Sequence, residues 1–77
     1  MTNGEIFEKV EKGACVTLFS PLGSILYIKK KGQGKIYIEY TDSEDEFCIY
    51  EFQTISDMKN WIDDNLDNIE DWDNYYE

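Results

Sequence analysis

The 77 residues contain no histidine and no arginine, and Pro21 is the single proline. Without His the chain lacks the usual general base at neutral pH and the commonest metal ligand, and without Arg it lacks the bidentate clamp for phosphate. Most enzyme classes and most nucleic-acid binders are thereby disfavoured. Cysteine is scarce too. Cys15 and Cys48 can form at most one disulfide, and neither shows CxxC spacing or ligand-rich neighbours, so both read as small buried thiols of the core. Residues 1–5 carry neither the positive leader nor the apolar stretch of a secretory signal, and no apolar run approaches the roughly 20 residues of a membrane-spanning helix. These absences lead us to expect a soluble, cytoplasmic protein.

The length bounds the chain to one small domain, residues 1–77, which buries only about 60% of its unfolded surface. Its 42% apolar residues are ordinary for a globular fold. Thr2 is placed to cap a helix over about 3–12 with Ile6, Phe7 and Val10 on one face, and Gly13 stands where a helix C-terminal glycine belongs. Four segments rich in β-branched and aromatic residues follow, at about 14–19, 24–30, 35–41 and 46–52, separated by short turn sequences. Such short connections predict an antiparallel meander. Thr54 or Ser56 can then cap a second helix, in which Ile55, Met58, Trp61, Ile62, Leu66 and Ile69 recur at helical spacing and cover the sheet. The predicted fold is α+β, a four-stranded antiparallel sheet between two helices in the order αββββα, with Trp61 and Ile62 buried against the sheet. The residues from about 70 onward read as an acidic tail prone to fray.

Charge is the most informative property. Seven Lys oppose 17 acids, a net −10, and the division is uneven: residues 1–41 hold 6 Lys and 4 Glu, residues 42–77 hold Lys59 and 13 acids. The apolar stripe of the second helix turns Asp57, Asp63, Asp64, Asp67, Glu70 and Asp71 toward solvent. A helix over 55–71 would be about 25 Å long, with one carboxylate per roughly 4 Å of axis. One strand of B-DNA carries a phosphate per about 3.4 Å. A merely soluble helix intersperses Lys with Glu, as Glu5–Lys9 and Glu8–Lys12 do in the first helix; the second carries uncompensated like charge, mostly as Asp, a poorer helix former than Glu. A strongly positive partner would relieve that repulsion. Asp42, Glu44, Asp45 and Glu46, in the turn before the fourth strand, form a second acidic patch, and Asp73 extends the first.

Other motifs fall short. Residues 63–74 place oxygen ligands at four EF-hand positions but lack the loop glycine and the bidentate glutamate, and residues 42–46 put Phe47 where the glycine should be. Lys29, Lys30 and Lys31 before Gly32-Gln33-Gly34-Lys35 do not make a phosphate loop and read as a lysine-edged hairpin. No nucleophile has a His to activate it. We expect a non-enzymatic protein without metal or cofactor.

A small domain with a dense Asp/Glu surface, thickest over residues 57–73, and no catalytic equipment resembles the acidic inhibitors encoded by bacteriophages: DNA-mimic anti-restriction proteins, uracil-DNA glycosylase inhibitors and anti-CRISPR proteins. The likeness is one of size and charge across the whole chain, without a shared motif. It implies that the carboxylates occupy the basic channel of a nucleic-acid enzyme in a host cytoplasm and exclude its substrate. The lysine hairpin departs from the uniformly acidic surface of the clearest mimics. Two other expectations stand beside this one: an immunity protein against a basic toxin nuclease, and a self-associating structural or regulatory protein whose acidic face meets the basic hairpin of a second copy.

Overall fold

Helix α1 (Asn3–Glu11) opens the chain and buries Ile6, Phe7 and Val10. It ends as the sequence predicts. Gly13 adopts φ +96°, and the Gly13 and Ala14 amides donate to the carbonyls of Val10 and Lys9, the paired bonds of a Schellman stop that needs a residue at home in the left-handed region. The computed structural model describes residues 3–66 and 68–76, so the cap expected at Thr2 lies outside the described residues.

Strands β1 (Val16–Phe19), β2 (Ile25–Lys30), β3 (Ile36–Thr41) and β4 (Phe47–Phe52) pair antiparallel in succession. Their register places Val16, Leu18, Leu26, Ile28, Ile36 and Ile38 on one face, all essentially inaccessible to solvent. Helix α2 (Ile55–Asn65) starts at Thr54, whose Oγ1 accepts the Asp57 amide at 3.1 Å, and lays Met58 and Ile62 on that same face.

As the order αββββα implies, one helix precedes and one follows the four-stranded meander. Ile6, Phe7 and Val10 of α1 share one core with Met58 and Ile62 of α2, so both helices cover a single face and the other is open. Two expectations need correction. The predicted second helix stops early, at Asn65. The Asn65 side-chain amide donates to the Trp61 carbonyl at 2.8 Å, and Asn68 takes a left-handed conformation, φ +50°. The apolar spacing nevertheless continues as burial, because Leu66 and Ile69 both enter the core. A 3-10 turn (Ile69–Asp71) then leads into a fifth strand, β5 (Asp73–Tyr76), which pairs with β1 in the register Val16↔Tyr76 to Phe19↔Asp73. The sheet order is β4-β3-β2-β1-β5. The stretch from about residue 70 is thus a turn and an edge strand anchored by buried Trp72, where the sequence suggested a fraying tail.

Trp61 is half-buried rather than a core centre. It packs on the core's rim against Tyr40, Tyr50 and Phe52, with ring centroids 4.9–6.3 Å apart. The cysteines are free; Cys15 is half-buried and Cys48 exposed. Cys48 stands opposite Tyr40 on the helix-covered side of β4, an edge strand of the sheet.

Candidate functional site

The topology sorts charge to opposite ends of the sheet. At one end meet the β1–β2 turn, the β3–β4 turn, the end of α2, the Ile69–Asp71 turn and the start of β5. At the other meet the end of α1, the β2–β3 connection, the end of β4 and the start of α2. The first end collects Asp42, Glu44, Asp45 and Glu46 from one turn, Asp63 and Asp64 from the last turn of α2, Glu70 and Asp71 from the 3-10 turn, and Asp73 from β5. Nine of the eleven acids singled out from the sequence therefore share one pole. Asp57 does not: it lies in the first turn of α2, at the far end. Asp67 lies outside the described residues.

The β3–β4 turn has a defined shape. The Asp42 amide donates to the Glu46 carbonyl and the Asp45 amide to the Asp42 carbonyl, while Asp45 takes φ +64°. Asp42 Oδ1 accepts the Glu44 and Glu46 amides at 2.8 and 3.0 Å, so one of its oxygens holds the turn while the carboxylates of Glu44, Asp45 and Glu46 are exposed to water. Two turns away, Asp73 stands beside Phe19 at the head of β5. From β3 to β5 is three strand spacings, about 14 Å, the same order as the roughly 12 Å width of the DNA major groove. Between these two acidic ridges lies the uncharged turn of residues 20–24.

A cleft of about 390 Å³ opens at this pole, lined in part by Leu22, Ser43, Asn65, Asp71 and Trp72. Leu22 at the turn tip is 84% exposed. The cleft thus combines an apolar wall of Pro21, Leu22, Leu66 and Trp72 with a single carboxylate, Asp71.

The electrostatics set this pole apart. Both ion pairs among the described residues, Lys12–Glu8 at 2.7 Å and Lys31–Glu51 at 2.8 Å, use acids elsewhere. These hydrogen-bonded ammonium groups hold the Glu8 and Glu51 carboxyls below the ordinary carboxylate value, and Glu8 in turn raises Lys12. Lysines are committed within the fold: Lys9 lies over the Tyr76 ring at 4.4 Å, Lys59 over Phe7 at 5.1 Å, and Lys30 donates to the Glu11 carbonyl. No lysine belongs to the segments that form the acidic pole. Moreover Asp63 and Asp64 sit at the negative end of the α2 dipole, with no basic residue in that turn.

The sequence reading missed the joining of the two acidic patches, which depends on strand order and on the early stop of α2. Among the described residues no group of three or more Cys, Asp or Glu side chains is arranged to hold a metal ion, and no helix is long and apolar enough to cross a membrane. Compared with known proteins, the chain matches no family model, no curated protein and no solved structure.

Proposed function

We propose that the protein is a non-enzymatic inhibitor whose acidic pole enters the basic, nucleic-acid-binding channel of a nuclease or defence effector and excludes the nucleic acid. The observation that carries this reading is the gathering of nine carboxylates from four chain segments at one pole without a lysine among them. Such an arrangement costs stability through like-charge repulsion and an opposed helix dipole, and a positive channel relieves both. The partner is a basic protein; the acidic pole repels nucleic acid itself. Steering by complementary charge gives fast, salt-sensitive association.

The test is capture from a host lysate on immobilised protein, followed by displacement with duplex DNA. Glu44→Gln, Asp63→Asn, Asp64→Asn, Glu70→Gln and Asp71→Asn together remove five charges and leave the core untouched, so the fold should persist and the captured partner should be lost. Lys29→Gln, Lys30→Gln and Lys31→Gln should leave capture intact. If the lysine variant loses the partner and the acidic variant keeps it, the basic end is the interface and the inhibitor reading fails.

A further inference from the structure

The edge strand β4 is six residues of Phe47, Cys48, Ile49, Tyr50, Glu51 and Phe52, with high β-propensity, one charge and no proline. Natural edges are usually blunted by shortness, lysine, proline or a cover. The opposite edge, β5, has four residues and begins with Asp73. By contrast β4 is exposed along its length, with Phe47 57%, Ile49 52% and Tyr50 38% accessible.

Which backbone groups β4 offers follows from hydrogen-bond alternation. The Asp42 amide bonds the Glu46 carbonyl, so the pairs Tyr40↔Cys48, Ile38↔Tyr50 and Ile36↔Phe52 exchange the β3–β4 bonds. Phe47, Ile49 and Glu51 therefore turn their N–H and C=O groups outward from the sheet. The same alternation, started from the Ser20–Ser24 and Lys31–Lys35 bonds, is consistent across β1, β2 and β3.

We propose that this edge pairs with the β4 edge of a second copy, antiparallel about a two-fold axis normal to the sheet, to form a continuous ten-stranded sheet. Side chains directly opposite must share a face, so the register is centred on a residue. Centring on Ile49 sets Ile49 opposite Ile49 and Phe47 opposite Glu51, and lets all three outward residues exchange bonds, about six in total. Centring on Cys48 or Tyr50 engages fewer of them. Charge selects the same occupant and direction. Antiparallel pairing brings the acidic turn of residues 42–46 of one copy within about two strand spacings, roughly 10 Å, of the partner edge. That part of the edge carries Lys31, which bonds Glu51, and Lys35, whose charge also acts on Glu51, so two positive charges stand there against one negative. At low ionic strength the separation lies well inside the Debye length and the attraction persists, whereas parallel pairing would set acid against acid.

The measurement is sedimentation velocity over a concentration series with no other protein present, so it does not depend on the inhibitor reading. Wild type should reach twice the chain mass. Ile49→Pro removes an outward N–H that β3 does not use; it should keep the wild-type circular dichroism and stay monomeric. Ile49→Lys, at an exposed position, should also be monomeric, which covers the case in which the proline variant fails to fold. With Cys15→Ser and Cys48→Ser, Ile49→Cys should oxidise to a covalent dimer, because self-paired residues place their Cα atoms about 5.5 Å apart, within disulfide range. A wild type that stays monomeric, a folded Ile49→Pro or Ile49→Lys dimer, or failure of Ile49→Cys to cross-link would each overturn the proposal.

Discussion

Ser20 and Asp42 occupy equivalent places in the β1–β2 and β3–β4 hairpins and hold them in the same way. Ser20 Oγ accepts the Leu22 and Ser24 amides at 3.2 and 2.8 Å, as Asp42 Oδ1 accepts those of Glu44 and Glu46. In both turns the fourth residue has positive φ, Gly23 at +95° and Asp45 at +64°. The acidic turn is therefore built around one structural carboxylate and three that face water.

That division separates Asp42 from its neighbours in a mutation series. Asp42→Ala leaves two turn amides without their side-chain acceptor and should destabilise the fold by about 1–2 kcal/mol. Glu44→Ala, which removes only an exposed side chain, should stay within about 0.5 kcal/mol. Urea unfolding checks both, and equal losses would show that the Asp42 bonds do not hold the turn.

At Asp45 the backbone requires the conformation that Gly23 supplies freely in the other hairpin. Asp45→Gly should stabilise the protein by up to about 1 kcal/mol, the left-handed strain relieved being partly offset by the greater freedom of the unfolded glycine. A shift of the urea midpoint to lower concentration would contradict this.

How far the sequence could be read depends on what carried each signal. The four meander strands were legible to within about two residues because alternation and turn residues agree, and Thr54 and Gly13 marked helix ends through local chemistry. The end of α2 was not legible: Leu66 and Ile69 keep helical spacing, and burial periodicity alone does not distinguish a helix from a helix followed by a tight turn. Strand β5 was hidden for a related reason, since Asp73 and Asn74 are poor strand formers and only pairing with β1 makes that segment a strand. Joining Asp42, Glu44, Asp45 and Glu46 to Glu70, Asp71 and Asp73 required the strand order, which no local pattern encodes.

The two tryptophans should respond differently to truncation. Trp72 is 8% exposed in the central core, and Trp72→Ala should cost about 3–5 kcal/mol. Trp61 packs at the rim with Tyr40, Tyr50 and Phe52, so Trp61→Ala loses less burial and should cost about 1–3 kcal/mol. Chemical denaturation of the two variants side by side decides it, and the reverse order would place Trp61 at the centre.

Lys31 and Glu51 give a pH signature. The hydrogen bond and charge of Lys31 hold the Glu51 carboxyl below its ordinary value of 4.5. A depressed folded-state pKa means that the contribution is present above the unfolded value and lost as pH falls through the folded one. Lys31→Gln should therefore shrink the fall in melting temperature between neutral pH and about pH 3. Both side chains are exposed, so the change will be small. An unchanged difference would leave the pair without thermodynamic weight.

Asp63 and Asp64 give the sharpest test of whether the acidic pole is held at a cost. They lie in the last turn of α2, where the helix dipole is negative and no basic residue compensates. Asp63→Asn with Asp64→Asn should raise stability by roughly 0.6–2 kcal/mol at low ionic strength, as two unfavourable dipole interactions of about 0.3–1 kcal/mol each are removed. Salt screens the same interactions, so wild type should gain stability from added NaCl and the double variant should gain less. Asp57→Asn provides the internal control. Asp57 sits in the first turn, where the dipole favours negative charge, so its loss should destabilise the protein. Opposite signs at the two ends of one helix would show that the residues of the acidic pole oppose the fold that carries them. Equal signs would remove the energetic argument for a positive partner.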